Sequence, residues 1–384
     1  MKCVKANVLY TGRPGQVPRD VYVVWQGNKI VGVSKERPRD AEEVYEYDFC
    51  VVTPAIIDAH SHIGMVRAGE NPDEEEVNEE MDSVLPYVDA LASVYMDDPS
   101  FRDSIEHGVL YSCVLPGSGN VIGGRAVFIR NFARDVNEAF IKYAGIKVAL
   151  GYNPRSTTKW KGTRPYTRMG VVGLLRKALQ HAKDVLKLIE KGKKDIEEVD
   201  YEARQLLPVI KGEELLRVHV HKKDDIMIML RISEEFGIKF TVEHACDVNE
   251  LYVFELLRDR NIPVVYGPLD SFAYKTELKH ESWKNVRLIV ESRHPLVAVM
   301  SDHPVVLQRN ILLQLRFFIR FGMSFSEALS LVTYNPARIL GVDNVLGTVE
   351  PGKYASFVVW NKEPTSLDAY PVLVIAEGKV VHET

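Results

Sequence analysis

Residues 51–62 read VVTPAIIDAHSH, an apolar run that ends in an Asp-Ala-His-Ser-His motif. Side chains two positions apart on a strand point to the same side, so a strand here would aim Asp58, His60 and His62 at one point. Two neutral imidazoles on one side of a strand are half of a metal site. The stretch therefore predicts a buried strand with metal-binding residues at its carboxyl end.

The composition predicts a soluble globular protein that acts on a small molecule. The chain has 384 residues, of which 46% are hydrophobic and 26% charged, and its net charge is −5. No basic stripe indicates nucleic acid, and no polybasic tail indicates a membrane surface. The four cysteines are scattered without C-x-x-C spacing, which is typical of reduced thiols. Without a signal peptide or an apolar run of about 18 residues, we expect a cytoplasmic protein.

Both ends of the chain show short strand patterns separated by turns. Residues 3–10, 21–25, 29–33 and 44–49 alternate as strands do, and the pattern returns at 355–360 and 372–381. Each end has too few strands for a stable core of its own. We therefore expect one composite β-sandwich from residues 1–52 and 346–384, with residues 53–345 inserted as a second domain.

The inserted segment alternates short apolar runs with amphipathic helices, which is typical of a parallel α/β fold. Eight runs are strand candidates, and the segment length is that of a (β/α)8 TIM barrel. An open doubly wound sheet is the alternative, but no Gly-rich phosphate turn follows residue 58. The candidates are residues 51–58, 109–115, 127–131, 147–151, 216–221, 239–244, 263–266 and 296–301.

Two stretches of the inserted segment are additional to the strands and helices of a minimal barrel. The acidic stretch 67–81, which includes Asp73, follows the paired histidines. Such a stretch is either a solvated loop or an insertion that faces the substrate. Residues 169–211 predict a helical hairpin broken near Gly192.

Metal-competent residues end four of the candidate strands. Besides His60 and His62, these are the pair His219 and His221, then His244, then Asp302. In a parallel barrel all strands open on one face at their carboxyl ends, so these residues would converge there. One such histidine alone is more often a core residue than a ligand, but four strand ends together favour a metal site. Apart from His303, which follows Asp302, the other histidines read as structural or surface residues; they are His107, His181, His280, His294 and His382.

The motifs resemble those of the amidohydrolase superfamily, and more narrowly its imidazolonepropionase-like branch. They are the D-A-H-S-H after an apolar strand, the histidines at 219 and 244, Asp302, and the tail that runs from NPARILG at residue 335 to LGTVEPGKYASFVVW. The resemblance covers essentially the whole chain. It implies the barrel, the split sandwich and a hydrolase, while its members differ in substrate.

The resemblance implies a first metal held by His60, His62 and Asp302, and a second held by His219 and His244. His221 is left as a substrate contact or a residue behind the ligands. Asp58 shares the orientation of the paired histidines, so we expect it to orient one of them by accepting its second N–H.

The resemblance also implies a mechanism. A bound divalent ion lowers the pKa of water and polarises the carbonyl group under attack. Asp302 would take the proton of the attacking water and pass it to the leaving nitrogen. The competing interpretation of Asp302 is the N-cap of a following helix.

One position departs from the resemblance. Relatives with two metals carry a carboxylated lysine or a glutamate after the fourth strand, where this chain has Tyr152. Tyrosine is a poor bridge because its phenol must lose a proton to bind well. Lys147 is expected to open that strand, which makes it a weak substitute. One metal, two metals joined by hydroxide, and lost catalysis all remain open.

Two other segments are candidates for the pocket wall. The glycine-rich stretch around Asn120 and Arg125 would let backbone approach a ligand, or would simply be a tight turn. A basic cluster could attract an anionic substrate or be a solvated loop. Its members are Arg155, Lys159, Lys161, Arg164 and Arg168.

Two functions follow as hypotheses. The first is a metal-dependent hydrolase that cleaves a C–N bond of a small amide or cyclic amide. The second is a catalytically impaired homologue that binds metal and acts by binding or assembly. Zinc suits the ligand set best, with iron, manganese, nickel and cobalt as other candidates, and the resemblance allows a homo-oligomer.

Overall fold

A computed structural model describes residues 1–71, 74–157, 160–273 and 275–384. Asp73 and Lys159, named above, lie outside the described residues. The strands are β1 Lys2–Leu9, β2 Arg19–Gln26, β3 Lys29–Ser34, β4 Glu43–Tyr45, β5 Val51–Pro54, β6 Ile56–Ser61, β7 Val109–Val114, β8 Ile122–Arg130, β9 Phe140–Ala149, β10 Leu216–Val220, β11 Phe240–His244, β12 Val264–Tyr266, β13 Val297–Val299, β14 Phe357–Trp360, β15 Pro371–Ala376 and β16 Lys379–Glu383.

The two ends of the chain form one sheet, here called the terminal sheet. Its strand order is β16-β15-β14-β5-β1-β2-β3, with β4 paired to β1. It is a single eight-stranded sheet, where two facing sheets of a sandwich were expected. Trp25 on β2 packs edge-on against Phe357 on β14, with 5.3 Å between their ring centroids. Because β5 and β1 lie between these two strands in the order, the sheet must curl to bring the rings together. That curl gives the terminal sheet a buried core on its inner side.

The second sheet carries the site and has the order β13-β12-β11-β10-β9-β8-β7-β6. Eight strands in sequential order give a barrel-like sheet in a mixed α/β fold. Backbone bonds join its two outer strands at their carboxyl ends. The Asp302 amide donates to the His60 carbonyl at 3.1 Å, and the His62 amide donates to the His303 carbonyl at 3.0 Å.

The expectation of an all-parallel sheet is wrong at one strand. β8 pairs antiparallel with both β7 and β9, whereas the other neighbours in this sheet run parallel. A short loop joins β7 to β8, and such a connection can only reverse the chain. The expected strand 51–58 is also divided, because β5 belongs to the terminal sheet and β6 begins the barrel-like sheet.

Helices cover the outer side of the barrel-like sheet and bury apolar side chains against it. The predicted hairpin is confirmed as α3 and α4, which pack on each other. No helix in the described part of the chain is long and apolar enough to cross a membrane. The helices are α1 Pro99–Glu106, α2 Val136–Ala139, α3 Arg168–Glu190, α4 Tyr201–Ile210, α5 Lys223–Phe236, α6 Leu251–Asp259, α7 Val286–Ser292, α8 Leu315–Arg320, α9 Phe325–Ser330 and α10 Tyr334–Ile339.

Candidate metal centre

The candidate ligands meet at the carboxyl ends of four strands of the barrel-like sheet. His60 lies near the end of β6, His219 on β10 and His244 at the end of β11, while Asp302 follows β13. Beside them is a cavity of about 330 Å³. The cavity wall includes His62, His219, His221, His244 and Asp302. The predicted convergence is therefore present in the structure.

The first group, called the carboxylate triad, consists of His60, His62 and Asp302. Asp302 Oδ1 lies 3.2 Å from His62 Nε2 and 3.6 Å from His60 Nε2. Each histidine is oriented through its other nitrogen. His60 Nδ1 lies 2.9 Å from Glu243 Oε2, and His62 Nδ1 lies 2.7 Å from the Leu115 carbonyl oxygen. Both Nε2 atoms therefore face the centre, as they do in ligands of a metal.

The second group, called the histidine triad, consists of His219, His221 and His244. Their ring centroids lie 4.3 to 4.8 Å apart. His244 Nδ1 lies 2.9 Å from the Gly267 carbonyl oxygen. By contrast, His219 Nε2, His221 Nδ1 and His244 Nε2 are buried without a hydrogen-bond partner. Buried nitrogens without partners are costly, so these atoms fit a bound cation.

The electrostatics of the centre favour the neutral form of four of its histidines. Burial lowers the pKa of His60, His219 and His221 well below the usual value, and that of His244 to about 4. Burial alone would raise the pKa of Asp302, but His244 and His62 hold it well below its usual value. Neutral imidazoles and an ionised carboxylate are the forms that bind metal. Within each triad the ligand atoms lie within 4.8 Å of one another.

Lys147 is a residue whose importance the sequence reasoning underrated. It does not open its strand: β9 runs from Phe140 to Ala149, so Lys147 lies near the carboxyl end. Its side chain is fully buried, and its Nζ lies 3.1 Å from His60 Nε2. Burial lowers the pKa of Lys147 to about 8, against the opposing effect of Asp302. A buried amine thus lies among the candidate ligands.

Glu243 and Arg217 belong to the site but were not predicted from the sequence. Both are fully buried, and Arg217 Nε lies 2.7 Å from Glu243 Oε1. Burial would raise the pKa of Glu243, but Arg217 and His60 lower it to about 2. The ionised Glu243 therefore orients His60. Their positions in the sequence could have indicated both residues. Arg217 is two residues before His219 and so points to the same side of the strand, and Glu243 directly precedes His244.

Asp58 does not orient an imidazole as expected. Its carboxylate accepts from the backbone amides of His60 at 3.3 Å and Ser301 at 3.2 Å, and also from the hydroxyl of Ser301. Gln308 Nε2 donates to it at 2.8 Å. Asp58 thus ties β6 to the segment that carries Asp302, while Glu243 takes the role predicted for Asp58.

Tyr152 is not in the bridge position. Its side chain is 41% exposed, and its backbone amide donates to Glu277 Oε2 at 2.7 Å. The chain turns outward at Gly151, which has a φ of +81°. The side-chain amine of Lys147, five residues before Tyr152 in the sequence, lies beside His60 instead.

Asn120 and Arg125 do not line the cavity. Asn120 Nδ2 donates to the carbonyls of Glu79 and Asp82 at 2.8 Å each. Arg125 lies over the Tyr143 ring at 4.7 Å. Both residues therefore stabilise the surrounding segments.

The acidic stretch and the basic cluster behave differently. Glu75, Val77 and Asn78 of the acidic stretch line the cavity, which agrees with the substrate-facing interpretation. The described members of the basic cluster do not line it. Instead, Arg155 donates to the Gly151 carbonyl at 2.9 Å, and Arg168 pairs with Asp225 at 2.7 Å.

A family model and a solved structure each match at least half of this chain. The model of the amidohydrolase family matches residues 177–381. The chain is similar to an amidohydrolase from Thermotoga maritima of known crystal structure, with 30% identity, a TM-score of 0.93 and 100% of each chain covered.

Two curated proteins are also similar. The amidohydrolase tasK of Hapsidospora irregularis is 26% identical over 90% of this chain and 38% of its own length. The imidazolonepropionase of Thermoplasma volcanium is 26% identical over 33% of this chain and 31% of its own length. The chain thus spans less than half of the length of these two relatives. The family model and the full-length structural match nevertheless lead to one conclusion: this chain belongs to the amidohydrolase family.

Proposed function

We propose that the protein is a metal-dependent hydrolase that cleaves a C–N bond of a small amide or cyclic amide. The observation that carries the proposal is the convergence of the two triads on one cavity beside the buried Lys147. Membership of a family named for amide hydrolysis supports the reaction class. The Thermoplasma relative, an imidazolonepropionase, makes a cyclic amide a reasonable first substrate to test.

The ligands proposed for the first ion are His60, His62 and Asp302. For the second ion they are His219 and His244, to which the unpartnered Nδ1 of His221 adds a third candidate. When bound, a divalent ion lowers the pKa of water and polarises the carbonyl under attack. We propose zinc, because imidazole and carboxylate ligands suit it; iron, manganese, nickel and cobalt are the alternatives that metal analysis would reveal.

Asp302 is proposed as the general base and acid. Its carboxylate is ionised and lines the cavity. It can therefore accept a proton from the attacking water and return it to the leaving nitrogen. The N-cap alternative has no support, since no helix begins within the five residues after Asp302.

Lys147 is proposed as the bridge that Tyr152 cannot provide. The uncharged amine would add to carbon dioxide, forming an N–C bond and releasing one proton, to give a carbamate. Two carbamate oxygens could then serve both triads. Full burial and the 3.1 Å approach to His60 support this assignment, and the lowered pKa of Lys147 favours the uncharged amine.

Isotopic labelling tests the carbamate. Protein prepared with ¹³C-bicarbonate should give a carbamate carbon signal, and Lys147→Gln should lose both that signal and one equivalent of metal. Lys147→Glu, which restores a carboxylate, should recover part of the metal. A Lys147→Gln protein with unchanged metal content would contradict the bridge.

Asp302→Asn tests the reaction. Loss of a general acid and base lowers kcat by about 10² to 10⁴, whereas binding of the substrate should change little. The measurement is hydrolysis of a panel of cyclic and N-acyl amides, with the metal content determined for each variant. The rival hypothesis of an impaired binding protein drew on Tyr152 and has lost that motivation. It would regain support if metal-loaded protein hydrolysed nothing in the panel.

We further propose the division into residues 1–52 plus 346–384 and residues 53–345, the latter closed as a TIM-type barrel. The bonds between the ends of β6 and the segment after β13 support closure. Native-state hydrogen exchange should then resolve two cooperative units, and a single unit spanning both sheets would contradict the division.

We also propose a cytoplasmic location, which the four free, buried cysteines support. Localisation by cell fractionation and oligomeric state by light scattering would test the remaining predictions.

A further inference from the structure

A second cavity adjoins the cavity of the metal centre. Its volume is about 540 Å³, and it shares part of its wall with the first. The shared residues are Cys246, Pro268, Ser271 and Glu281. The two cavities therefore meet at these four residues.

Glu281 lies at the junction of the two cavities. Its Oε2 is buried without a hydrogen-bond partner, and its Oε1 is 3.5 Å from the Ser271 hydroxyl. A buried acceptor without a partner is costly. This carboxylate therefore provides a strong acceptor for a ligand that brings an N–H group.

The charged groups near Glu281 are paired with residues other than Glu281. Asp270, in the same cavity wall, is paired with Arg316. Lys275 lies 2.9 Å from Glu277, and Asp247 is paired with Lys222 at 3.6 Å. Within the described ranges, Glu281 has no ion-pair partner of its own. Burial raises the pKa of Glu281, and the hydrogen bond from Ser271 and the charge of Lys275 oppose that rise. A cationic or N–H group of a ligand beside Glu281 would favour its ionised form further.

Beyond Glu281 the second cavity is aromatic. Phe272 is 84% exposed and Trp283 is 37% exposed, and both line the cavity. The Trp283 ring stacks with Phe317 and Phe321, each 5.8 Å away between centroids, and the Arg320 guanidinium lies 5.1 Å from its centroid. A fixed indole and a nearby exposed ring can hold a flat apolar group.

We propose that the second cavity is a substrate subsite for an arm that carries an N–H or ammonium group followed by a flat apolar group. Glu281 accepts the nitrogen donor, and Trp283 and Phe272 hold the apolar group. The inference rests on the proposed function, because it assumes that the adjoining cavity holds the reacting amide. It narrows the substrate to amides whose non-reacting arm has this chemistry, and Glu281 becomes a specificity-determining residue.

Calorimetric titration of the full chain with two matched probes tests the subsite. The probes are 2-phenylethylammonium and 3-phenylpropionate, which share a phenyl ring and differ in charge. The ammonium should bind about tenfold more tightly, and Glu281→Gln should remove most of that difference, as expected for a charge-assisted hydrogen bond. Phe272→Ser, at an exposed position, should weaken both probes about threefold or more.

Asp270→Asn is the matched control, because it removes the same charge from the same wall where Arg316 already balances it. It should change the ammonium affinity by less than about threefold. Equal affinity for the two probes, no binding at millimolar concentration, or equal effects of Glu281→Gln and Asp270→Asn would each overturn the subsite.

Probe binding needs no hydrolysis, so the two proposals fail separately. If the ammonium probe binds selectively but no amide is cleaved, the proposed function fails and the subsite stands. If amides are cleaved and the probes are not distinguished, the subsite fails alone. Asp302→Asn should bind the ammonium probe like the parent protein.

Discussion

The two triads differ in how their side chains are held. In the carboxylate triad each histidine has a protein partner behind it: Glu243 for His60 and the Leu115 carbonyl for His62. In the histidine triad, one nitrogen of each ring is buried without any partner. The histidines of the first triad are therefore oriented by protein groups, whereas each ring of the second triad leaves one buried nitrogen open to a ligand. A carboxylate also gives the first triad a negative charge that the second lacks.

The largest expected effect comes from removing the support of the carboxylate triad. Glu243→Gln would leave the Arg217 charge buried without its partner, which typically costs about 3 to 5 kcal/mol. It would also release His60 from its orientation. Chemical denaturation should show this loss, and metal analysis should show depletion of the first ion.

Glu377→Gln is a matched control for Glu243→Gln. Its partner Arg130 lies 2.8 Å away, but both side chains are about one-fifth exposed. Solvent screening should limit the loss to roughly 1 kcal/mol. If both substitutions cost the same, burial would not be what makes Glu243 important.

A smaller effect is expected from the histidine triad, because it lacks a carboxylate and its His244 is held by a neutral backbone carbonyl, that of Gly267. His221→Asn should lose the second equivalent of metal and keep the first, while His62→Asn should do the reverse. Stepwise dialysis against a chelator should also remove the second ion first from the parent protein. Release of both ions together from His221→Asn would mean that the triads do not bind separately.

The sequence predicted the parts of the fold that follow from local pattern. Eight strands of the inserted segment and the α3–α4 hairpin could be found because apolar periodicity reflects burial. The antiparallel β8 could not, since periodicity does not record strand direction. The curl of the terminal sheet depends on contacts between distant residues such as Trp25 and Phe357, which no local pattern contains.

The same contrast holds at the candidate site. His60, His62, His219, His244 and Asp302 were found because they end apolar strands. Lys147 was expected at the beginning of its strand and was therefore considered a weak bridge. In the structure β9 ends only two residues after it, at Ala149. The division of roles between Asp58 and Glu243 required side-chain geometry, since both are buried acids next to a histidine.

The smallest effect should come from Tyr152, the residue that the sequence pattern singled out. Its side chain points to solvent, and its backbone amide makes the contact with Glu277. Tyr152→Phe keeps that amide and removes the phenol oxygen, so metal content and kcat should stay within about twofold of the parent protein, as at other surface positions. The measurement pairs metal analysis with the amide panel. A lost equivalent of metal in Tyr152→Phe would restore the phenol as a ligand and remove the reason to assign the bridge to Lys147.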